Sequence, residues 1–381
     1  MLTAEGCSGR RERLWKALPK ACDALIVADP AHLTYFSGYD PSPFVFRTVE
    51  SSAVLILERG RATLVGDDML GPFLQKAHVD DVVAPTWYDG QHSAPHRRSN
   101  LAKAALERLE QVSGACFGVE LASVPAAIVE GLKAERADLE LVDLDGVIRP
   151  MRRSKDKDEI ATLKRSMAAG EAAHAAALAN VEPGMTEIEV YELLHAAAVK
   201  ALGEPAILYG DIASGVRCER DKGGPPTDRK IEAGDLLLLD FSVVVSGYRG
   251  DFTNTFVVGG KASEAQKALF EACLGAMRAG EERLMHGMPA REVDAAVRGH
   301  LASLGFEKEF PHHSGHGLGL GHPEPPYLVP ESDDVLQSGD VVTLEPGLYV
   351  PGTGGIRIER NYLITSDGFE TLSNHQIQIE P

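Results

Sequence analysis

The chain has 381 residues, 44% hydrophobic and 25% charged, a composition typical of a globular protein with enough apolar side chains for a large core. It carries 38 Lys and Arg against 56 Asp and Glu, a formal net charge of -18. An acidic surface repels phosphate backbones, which argues against nucleic acid as a partner. No apolar run reaches the roughly 20 residues that span a bilayer, so no membrane partner is expected either.

The cysteines and the N-terminal segment indicate a reducing compartment. The five cysteines form no C-x-x-C pair, and their odd number argues against a disulfide framework. The first 20 residues lack the continuous apolar stretch and the small-residue cleavage site of a signal peptide. We therefore expect a cytoplasmic protein.

The first 150 residues alternate strand-like and helix-like segments, which is typical of an α/β domain. An apolar run at 23–30 predicts a strand followed by a helix, and residues 52–68 predict a hairpin. The segment 99–112 has helical spacing. We expect residues 1–150 to form one domain, and we find no catalytic constellation in it.

The remaining residues, 151–381, predict an α+β domain in which helix pairs alternate with antiparallel hairpins. One long helical segment follows the charged stretch RRSKDKDE, and a second spans 186–202, where Thr186 and Glu189 have the spacing of a capping box. Apolar runs bounded by glycine predict the strands: GDLLLLDFSVVVSG, GDFTNTFVV, GDVVTLEPGLYV and GIRIERNYLIT.

Two of the predicted hairpins each bring a pair of carboxylates together. A Ser-Gly turn in the first hairpin sets Asp240 almost opposite the segment that begins at Asp251. A glycine-rich turn in the second sets Glu345 opposite Glu359. A carboxylate inside a buried strand is costly unless it is paired or bound to a metal. The alternative is that these groups are surface ion pairs or turn caps.

The glycine-rich segment 312–326 adds His312, His313, His316 and His322. Four carboxylates with one imidazole suit Mn²⁺, Co²⁺, Zn²⁺ or Fe²⁺. Two ions that share carboxylates can bind a bridging hydroxide and stabilise the oxyanion of a hydrolytic intermediate. The residues therefore favour a hydrolytic metal site.

The ordered set LLLLDFSVVVSGYRGDFTNTF, HHSGHGLGLG, TLEPGLY and GIRIERNYLI resembles the pita-bread metallopeptidase family, which includes methionine aminopeptidase, aminopeptidase P and prolidase. The resemblance covers residues 155–381, and the first 150 resemble the creatinase-type N-terminal domain of the proline-specific branch. It implies an α/β N-terminal domain plus an α+β pita-bread catalytic domain, and a homodimer. The implied activity is hydrolysis of the Xaa-Pro bond in dipeptides by a dinuclear metal-bound hydroxide.

The resemblance also implies roles for individual residues. It makes five residues the ligands of two divalent ions, with Mn²⁺ expected and Co²⁺ or Zn²⁺ as alternatives: Asp240, Asp251, His316, Glu345 and Glu359. Asp251 and Glu359 would bridge the ions, and Glu345 would also shuttle the proton of the nucleophilic water. Arg357 lies two residues before Glu359, so on a strand it faces the same side and is expected to orient a ligand or bind substrate.

The sequence departs from the family pattern at two places. Relatives carry a histidine shortly before the P-T-D-R-K motif, and here the matching place is Gly223 or a neighbour. Relatives also carry a histidine seven residues after the metal histidine, where this chain has Pro323 and a histidine one residue earlier. We expect His312 and His322 to act on the substrate side, and we expect a structural role for His313.

The segment VRCERDKGG brings Arg217, Arg220 and Lys222 to what the family makes the edge of the active site. Arginine binds carboxylates bidentately, so we expect Arg217 and Arg220 to bind the free carboxylate of a dipeptide. The alternative is a solvated surface loop. If the arginines bind that carboxylate, Xaa-Pro dipeptides are better substrates than longer Xaa-Pro peptides.

Three other functions stay open from the sequence. The first is an aminopeptidase P that acts on longer peptides. The second, favoured by the missing histidine, is a non-peptidase C–N hydrolase that cleaves a small amidine or cyclic substrate. The third is a binding module on an inactive scaffold, against which the intact ligand set argues.

Overall fold

The computed structural model of the chain describes residues 2–220 and 222–381, and the chain divides after Arg152 into two compact units. The helices of the first unit are α1 (Ala4–Ala17), α2 (Pro30–Ser37), α3 (Gly71–Leu74), α4 (Arg97–Leu109), α5 (Ala126–Glu135) and α6 (Asp145–Met151). Its strands are β1 (Ala24–Val27), β2 (Val54–Glu58), β3 (Arg61–Val65), β4 (Asp81–Val83), β5 (Cys116–Val119) and β6 (Glu140–Asp143).

The strands of the first unit form one mixed sheet, in the order β4-β3-β2-β1-β5-β6. Strands β1, β5 and β6 are parallel, whereas β1, β2 and β3 are joined antiparallel. All four residues of β1 are buried, as its continuous apolar run predicts for a strand covered on both faces. The strand and helix predicted at 23–30 and the hairpin predicted at 52–68 are confirmed, and α4 begins two residues before the predicted helix.

The second unit contains the helices α7 (Lys157–Asn180), α8 (Glu187–Leu202), α9 (Val216–Arg220), α10 (Glu264–Glu281) and α11 (Ala290–Ser303). Its first strands are β7 (Ile207–Ser214), β8 (Leu236–Val245), β9 (Tyr248–Arg249) and β10 (Phe252–Val257). The later strands are β11 (Gly315–Gly317), β12 (Glu324–Leu328), β13 (Val341–Leu344), β14 (Gly347–Val350), β15 (Gly354–Arg357), β16 (Arg360–Ile364) and β17 (Phe369–Thr371).

Side-chain caps fix where the long helices begin. Thr186 accepts a hydrogen bond from the backbone of Glu189, and the Glu189 carboxylate accepts one from the backbone of Thr186, so the predicted capping box is confirmed. Asp156 with Glu159 and Ser263 with Gln266 cap α7 and α10 in the same way. None of the helices within the described residues combines the length and the apolar character needed to cross a membrane.

Strand β8 lies at the centre of the second unit, in the order β10-β8-β7. Leu236 and Leu238 pack into a core with α10 and α11, whereas Leu237 and Leu239 pack into a core with α7 and α8. Both faces of β8 are therefore covered, which explains its unbroken run of four leucines. The other sheets follow the orders β12-β11-β13-β16-β17 and β14-β15.

Candidate metal centre

Strand β8 positions the first carboxylate of the site. Side chains alternate along a strand, so Asp240 projects on the same face as Leu238. Thr253 of β10 lies directly opposite Asp240, and Asp251 immediately precedes β10. The predicted juxtaposition of Asp240 with the segment that begins at Asp251 is confirmed.

The second hairpin positions the next two carboxylates. The pairing of β13 with β16 continues in the same register into the pairing of β14 with β15. This register sets Glu345 opposite Glu359, as predicted. Thr253 joins the two hairpins, because its backbone pairs with that of Glu359. The Thr253 hydroxyl also donates a hydrogen bond to Glu359 Oε2 at 2.7 Å. Both strand pairs therefore deliver their acidic side chains to one place.

His316 on β11 completes the set of five predicted ligands. Its Nδ1 lies 2.9 Å from the carbonyl oxygen of Gly317, which suits an N–H that donates to that carbonyl. Its Nε2 then faces the carboxylates, 3.5 Å from Asp251 Oδ2 and 3.4 Å from Glu345 Oε1. A histidine that binds a metal through one ring nitrogen usually donates a hydrogen bond from the other nitrogen, often to a backbone carbonyl.

Three groups of possible ligand atoms lie at this site. Within each group they lie no more than 4.8 Å from one another, and the groups are Asp240 with Asp251 and Glu359, His313 with His316 and Glu345, and Asp251 with His316 and His322. Asp251 and His316 each belong to two groups, so the structure brings all five predicted ligands into one cluster. It adds His313 and His322 at the edge of that cluster.

The electrostatics of the cluster fit a bound cation. Glu359 Oε1 is buried and has no hydrogen-bond partner among the described residues. Burial, with the nearby charges of Asp251 and Glu345, raises the pKa of Glu359 well above its usual range. Burial likewise raises the pKa of Asp240 to about 7, although the charge of Arg357 opposes the shift. Carboxylates packed this closely need positive charge, which divalent ions supply.

Glu345 lies beside three histidines, His312, His313 and His316. His313 Nε2 lies 3.0 Å from Glu345 Oε1. Burial favours the protonated form of Glu345, but the His313 bond and the charges of the surrounding histidines outweigh it and lower its pKa to about 2. His313 was expected to be structural, and the structure instead places it on a predicted ligand. The sequence signal was its position beside His312, which does not show where the side chain points.

His312 lies beside the cluster, with its Nδ1 4.0 Å from Glu345 Oε2. Its Nε2 is 3.0 Å from the Tyr349 hydroxyl, and its Nδ1 is 2.9 Å from the His313 carbonyl. Burial lowers the pKa of His312 to about 4, so the ring is neutral near pH 7. Arg298 of α11 holds this segment, because it donates hydrogen bonds to the carbonyls of Phe310 and His312.

His322 reaches the cluster although it lies one residue before the family position. Its Nε2 is 2.6 Å from Asp251 Oδ2, and its side chain is 27% exposed. Burial opposes protonation of His322, but the hydrogen bond to Asp251 outweighs burial and raises its pKa. The early histidine therefore contacts the centre and is open to solvent on one side.

Arg357 contacts Asp240, one of the predicted ligands. Its Nη2 forms an ion pair with Asp240, and its Nη1 donates a hydrogen bond of 2.7 Å to the Tyr349 hydroxyl. The same Nη2 lies 2.9 Å from Asp211 Oδ2 on β7. Sequence reasoning missed Asp211, since nothing in the pattern of the segment YGDIASG shows that its acid faces the site.

Arg217 has a different role from the one predicted. Its guanidinium forms an ion pair with Glu187, which is fully buried, and also donates to the carbonyl of Pro225 at 3.0 Å. Glu187 needs that partner, because a buried unpaired carboxylate is costly. Arg217 is thus held by the protein itself rather than presented to a substrate carboxylate. The side chain of Arg220 lies outside the described part of the structure.

Comparison with known proteins agrees with this geometry. Residues 161–366 match metallopeptidase family M24, and residues 10–154 match the creatinase/prolidase N-terminal domain. The Xaa-Pro dipeptidase of Pyrococcus horikoshii is 31% identical over 293 residues, 76% of this chain and 83% of the relative. That of Pyrococcus furiosus is 27% identical over 97% of this chain and 99% of the relative. The structure of a Bacillus anthracis Xaa-Pro dipeptidase superposes with a TM-score of 0.83 at 26% identity, covering 98% of this chain and 99% of the other.

The chain belongs to metallopeptidase family M24. The predicted fold class, an α/β N-terminal domain plus an α+β pita-bread catalytic domain, is confirmed, and so is the prediction of a peptidase. A metallopeptidase uses divalent metal ions, and the clustered carboxylates and histidines form a candidate site for them.

Proposed function

We propose that the protein hydrolyses the peptide bond before proline in Xaa-Pro dipeptides and is therefore an Xaa-Pro dipeptidase. The observation that carries the proposal is the convergence of Asp240, Asp251, His316, Glu345 and Glu359 within one buried cluster. Support for the substrate comes from the relatives, two of which are Xaa-Pro dipeptidases that this chain matches over most of their length.

The five clustered residues would hold two divalent ions, for which we propose Mn²⁺, with Co²⁺ and Zn²⁺ as alternatives. Carboxylates suit Mn²⁺, and an imidazole ligand suits Zn²⁺. When bound, such ions polarise the scissile carbonyl and lower the pKa of a water. The unpartnered Glu359 Oε1 supports the assignment, because a buried carboxylate oxygen needs a cation or a donor.

The chain's own residues supply the remaining functions. Glu345 would accept the proton of the attacking water, and His313, 3.0 Å away, would hold the Glu345 carboxylate in place. Arg357 keeps Asp240 oriented, and the Thr253 hydroxyl does the same for Glu359. His322 is partly exposed to solvent beside Asp251 and would contact the substrate.

The proposal extends to the protein's surroundings. We propose a reducing, cytoplasmic location, because all five cysteines are buried and none of them forms a disulfide bond. We also propose a homodimer, supported by the large apolar side chains of Phe44, Phe46 and Val49, which are exposed on the first unit. Sedimentation at several protein concentrations tests the second point.

The test of the function is a comparison of three substrates. Protein loaded with Mn²⁺ is incubated with Ala-Pro, Ala-Pro-Ala and a small amidine, with EDTA-treated protein as the control. The proposal predicts metal-dependent cleavage of Ala-Pro with a higher kcat/KM than that for Ala-Pro-Ala. Equal or better cleavage of the tripeptide would move the assignment to an Xaa-Pro aminopeptidase. Hydrolysis of the amidine alone would make the protein a C–N hydrolase.

A further inference from the structure

Asp211 on β7 is a carboxylate beside the metal centre to which the ligand cluster gives no role. In the pairing of β7 with β8 it lies directly opposite Asp240. Directly opposite residues of an antiparallel pair project on the same face of the sheet, so Asp211 faces the same side as the candidate ligands. Its side chain is 40% exposed, whereas that of Asp240 is 19% exposed. Asp211 therefore lies between the centre and solvent.

The Asp211 carboxylate lies beside Gly223, which is at or next to the place where the family resemblance implies a substrate-side histidine. A Cβ atom added to Gly223 would lie 2.3 Å from Asp211 Oδ2, closer than van der Waals contact allows. The backbone of Gly223 also has φ +129°, a conformation that side chains disfavour. Asp211 and a side chain at position 223 thus exclude each other, and this chain has the acid.

A carboxylate in place of an imidazole changes the hydrogen bonding beside Gly223. A histidine can donate a hydrogen bond to a carbonyl oxygen, whereas an ionised carboxylate only accepts. Arg357 is the one described side chain that bonds Asp211, and it is shared with Asp240. One guanidinium then faces two carboxylates, so Arg357 alone does not neutralise both, and the Asp211 carboxylate is 40% exposed. The group that fits beside it is a cationic donor.

We propose that Asp211 binds a cationic nitrogen on the first residue of the substrate. Within a dipeptide the nitrogen is either the α-ammonium or the side chain of lysine or arginine. Both have the same chemistry, a charge-assisted hydrogen bond to the Asp211 carboxylate. The inference rests on the proposed peptidase function and adds to it the recognition of the residue before proline.

The experiment compares Lys-Pro with Met-Pro, which has a side chain of similar length and no charge, in wild type and in Asp211→Asn. If the lysine side chain is bound, kcat/KM for Lys-Pro exceeds that for Met-Pro about tenfold in wild type, and the preference disappears in the variant. If the α-ammonium is bound, KM for both dipeptides rises about tenfold in the variant while kcat changes less. Asp228→Asn, an exposed acid in the same β7–β8 connection, controls for the loss of one negative charge.

The proposal is overturned if wild type shows no preference for Lys-Pro and Asp211→Asn leaves both KM values within about twofold of wild type. Two measurements on wild type need no folded variant and no turnover: calorimetric titration with L-lysine and with L-norleucine, each at low and high salt. Tighter, salt-sensitive binding of lysine supports a side-chain site. A wild type that cleaves neither dipeptide contradicts the peptidase function, and these titrations still test whether the protein has a site for the lysine side chain.

Discussion

Lys155 Nζ lies 2.8 Å from Glu324 Oε1, and both side chains are almost completely buried, at 1% and 5% exposure. Glu324 Oε2 also accepts a hydrogen bond from the backbone N–H of Gly321. The pair therefore holds both ends of the short segment that presents His322 to Asp251. A buried ion pair here fixes the geometry of a loop that departs from the family spacing by one residue.

Replacement of Lys155 by Met is expected to destabilise the protein by about 3–5 kcal/mol, since it leaves the Glu324 carboxylate buried without its cation. Chemical denaturation of wild type and variant measures the difference. The double variant Lys155→Met with Glu324→Gln removes both charges and is expected to recover much of the loss. If the double variant is no more stable than Lys155→Met, the cost does not come from the buried charge of Glu324.

Glu345→Gln is expected to lower kcat by about 10²-fold or more, because the amide cannot accept a proton from water. Metal content should be partly retained, since the amide keeps one oxygen in the cluster. Activity on Ala-Pro and elemental analysis of the same sample check both points. Near-normal kcat in this variant would show that another group acts as the base.

His312→Ala and His322→Ala are each expected to lower kcat/KM by about 10²-fold with no loss of metal. The metal measurement is essential for His322, because its Nε2 lies close enough to Asp251 and His316 to form a possible ligand group. His312, bonded to Tyr349 and not in any ligand group, is the matched comparison. Loss of metal in His322→Ala alone would place His322 among the ligands.

A pair of buried histidines should make the protein sensitive to acid. His174 stacks between Phe241 and His375, with ring centroids 4.6 and 4.8 Å away. Burial, together with the charge of Arg360, lowers the pKa of His375 to about 4, although a hydrogen bond to the Thr253 carbonyl opposes the shift. Burial also lowers the pKa of His174 well below its usual value, with His375 adding to the shift and the Phe252 backbone opposing it.

Between about pH 6.5 and 4 the unfolded chain takes up protons on these histidines that the folded chain does not, so stability falls as the pH falls. Each histidine contributes up to about 1.4 kcal/mol per pH unit in that window. His174→Phe is expected to reduce the slope of stability against pH, as measured by denaturation at several pH values. His96→Phe, at an exposed site, should leave the slope unchanged. An unchanged slope in His174→Phe would contradict the account.

The pairing of the acidic residues could be predicted from the sequence because it depends on local hairpins. Asp240 and Asp251 share one hairpin, and Glu345 and Glu359 share another, so turn position and strand alternation are enough to bring each pair together. The contact between the two hairpins could not be predicted from the sequence. It depends on the bridge between Thr253 and Glu359, which are more than a hundred residues apart.

The substrate-side residues were harder to predict because their direction depends on distant partners. Arg217 is charged and close to the predicted site, yet the buried Glu187 on α8 draws it inward. Asp211 belongs to no motif in the sequence. Its position follows from the pairing of β7 with β8 and from the packing of Gly223 against it. Charge and spacing in the sequence therefore identify candidates here, but not which way they point.

We propose that metal bound by the five clustered residues drives hydrolysis before proline. Titration of metal-free protein with Mn²⁺, with bound ions counted by elemental analysis and Ala-Pro hydrolysis recorded on the same samples, tests it most directly. We expect hydrolysis to rise with metal binding and to reach its maximum at about two bound ions per chain. Full hydrolysis of Ala-Pro in the presence of EDTA, or no hydrolysis with two ions bound, would contradict it.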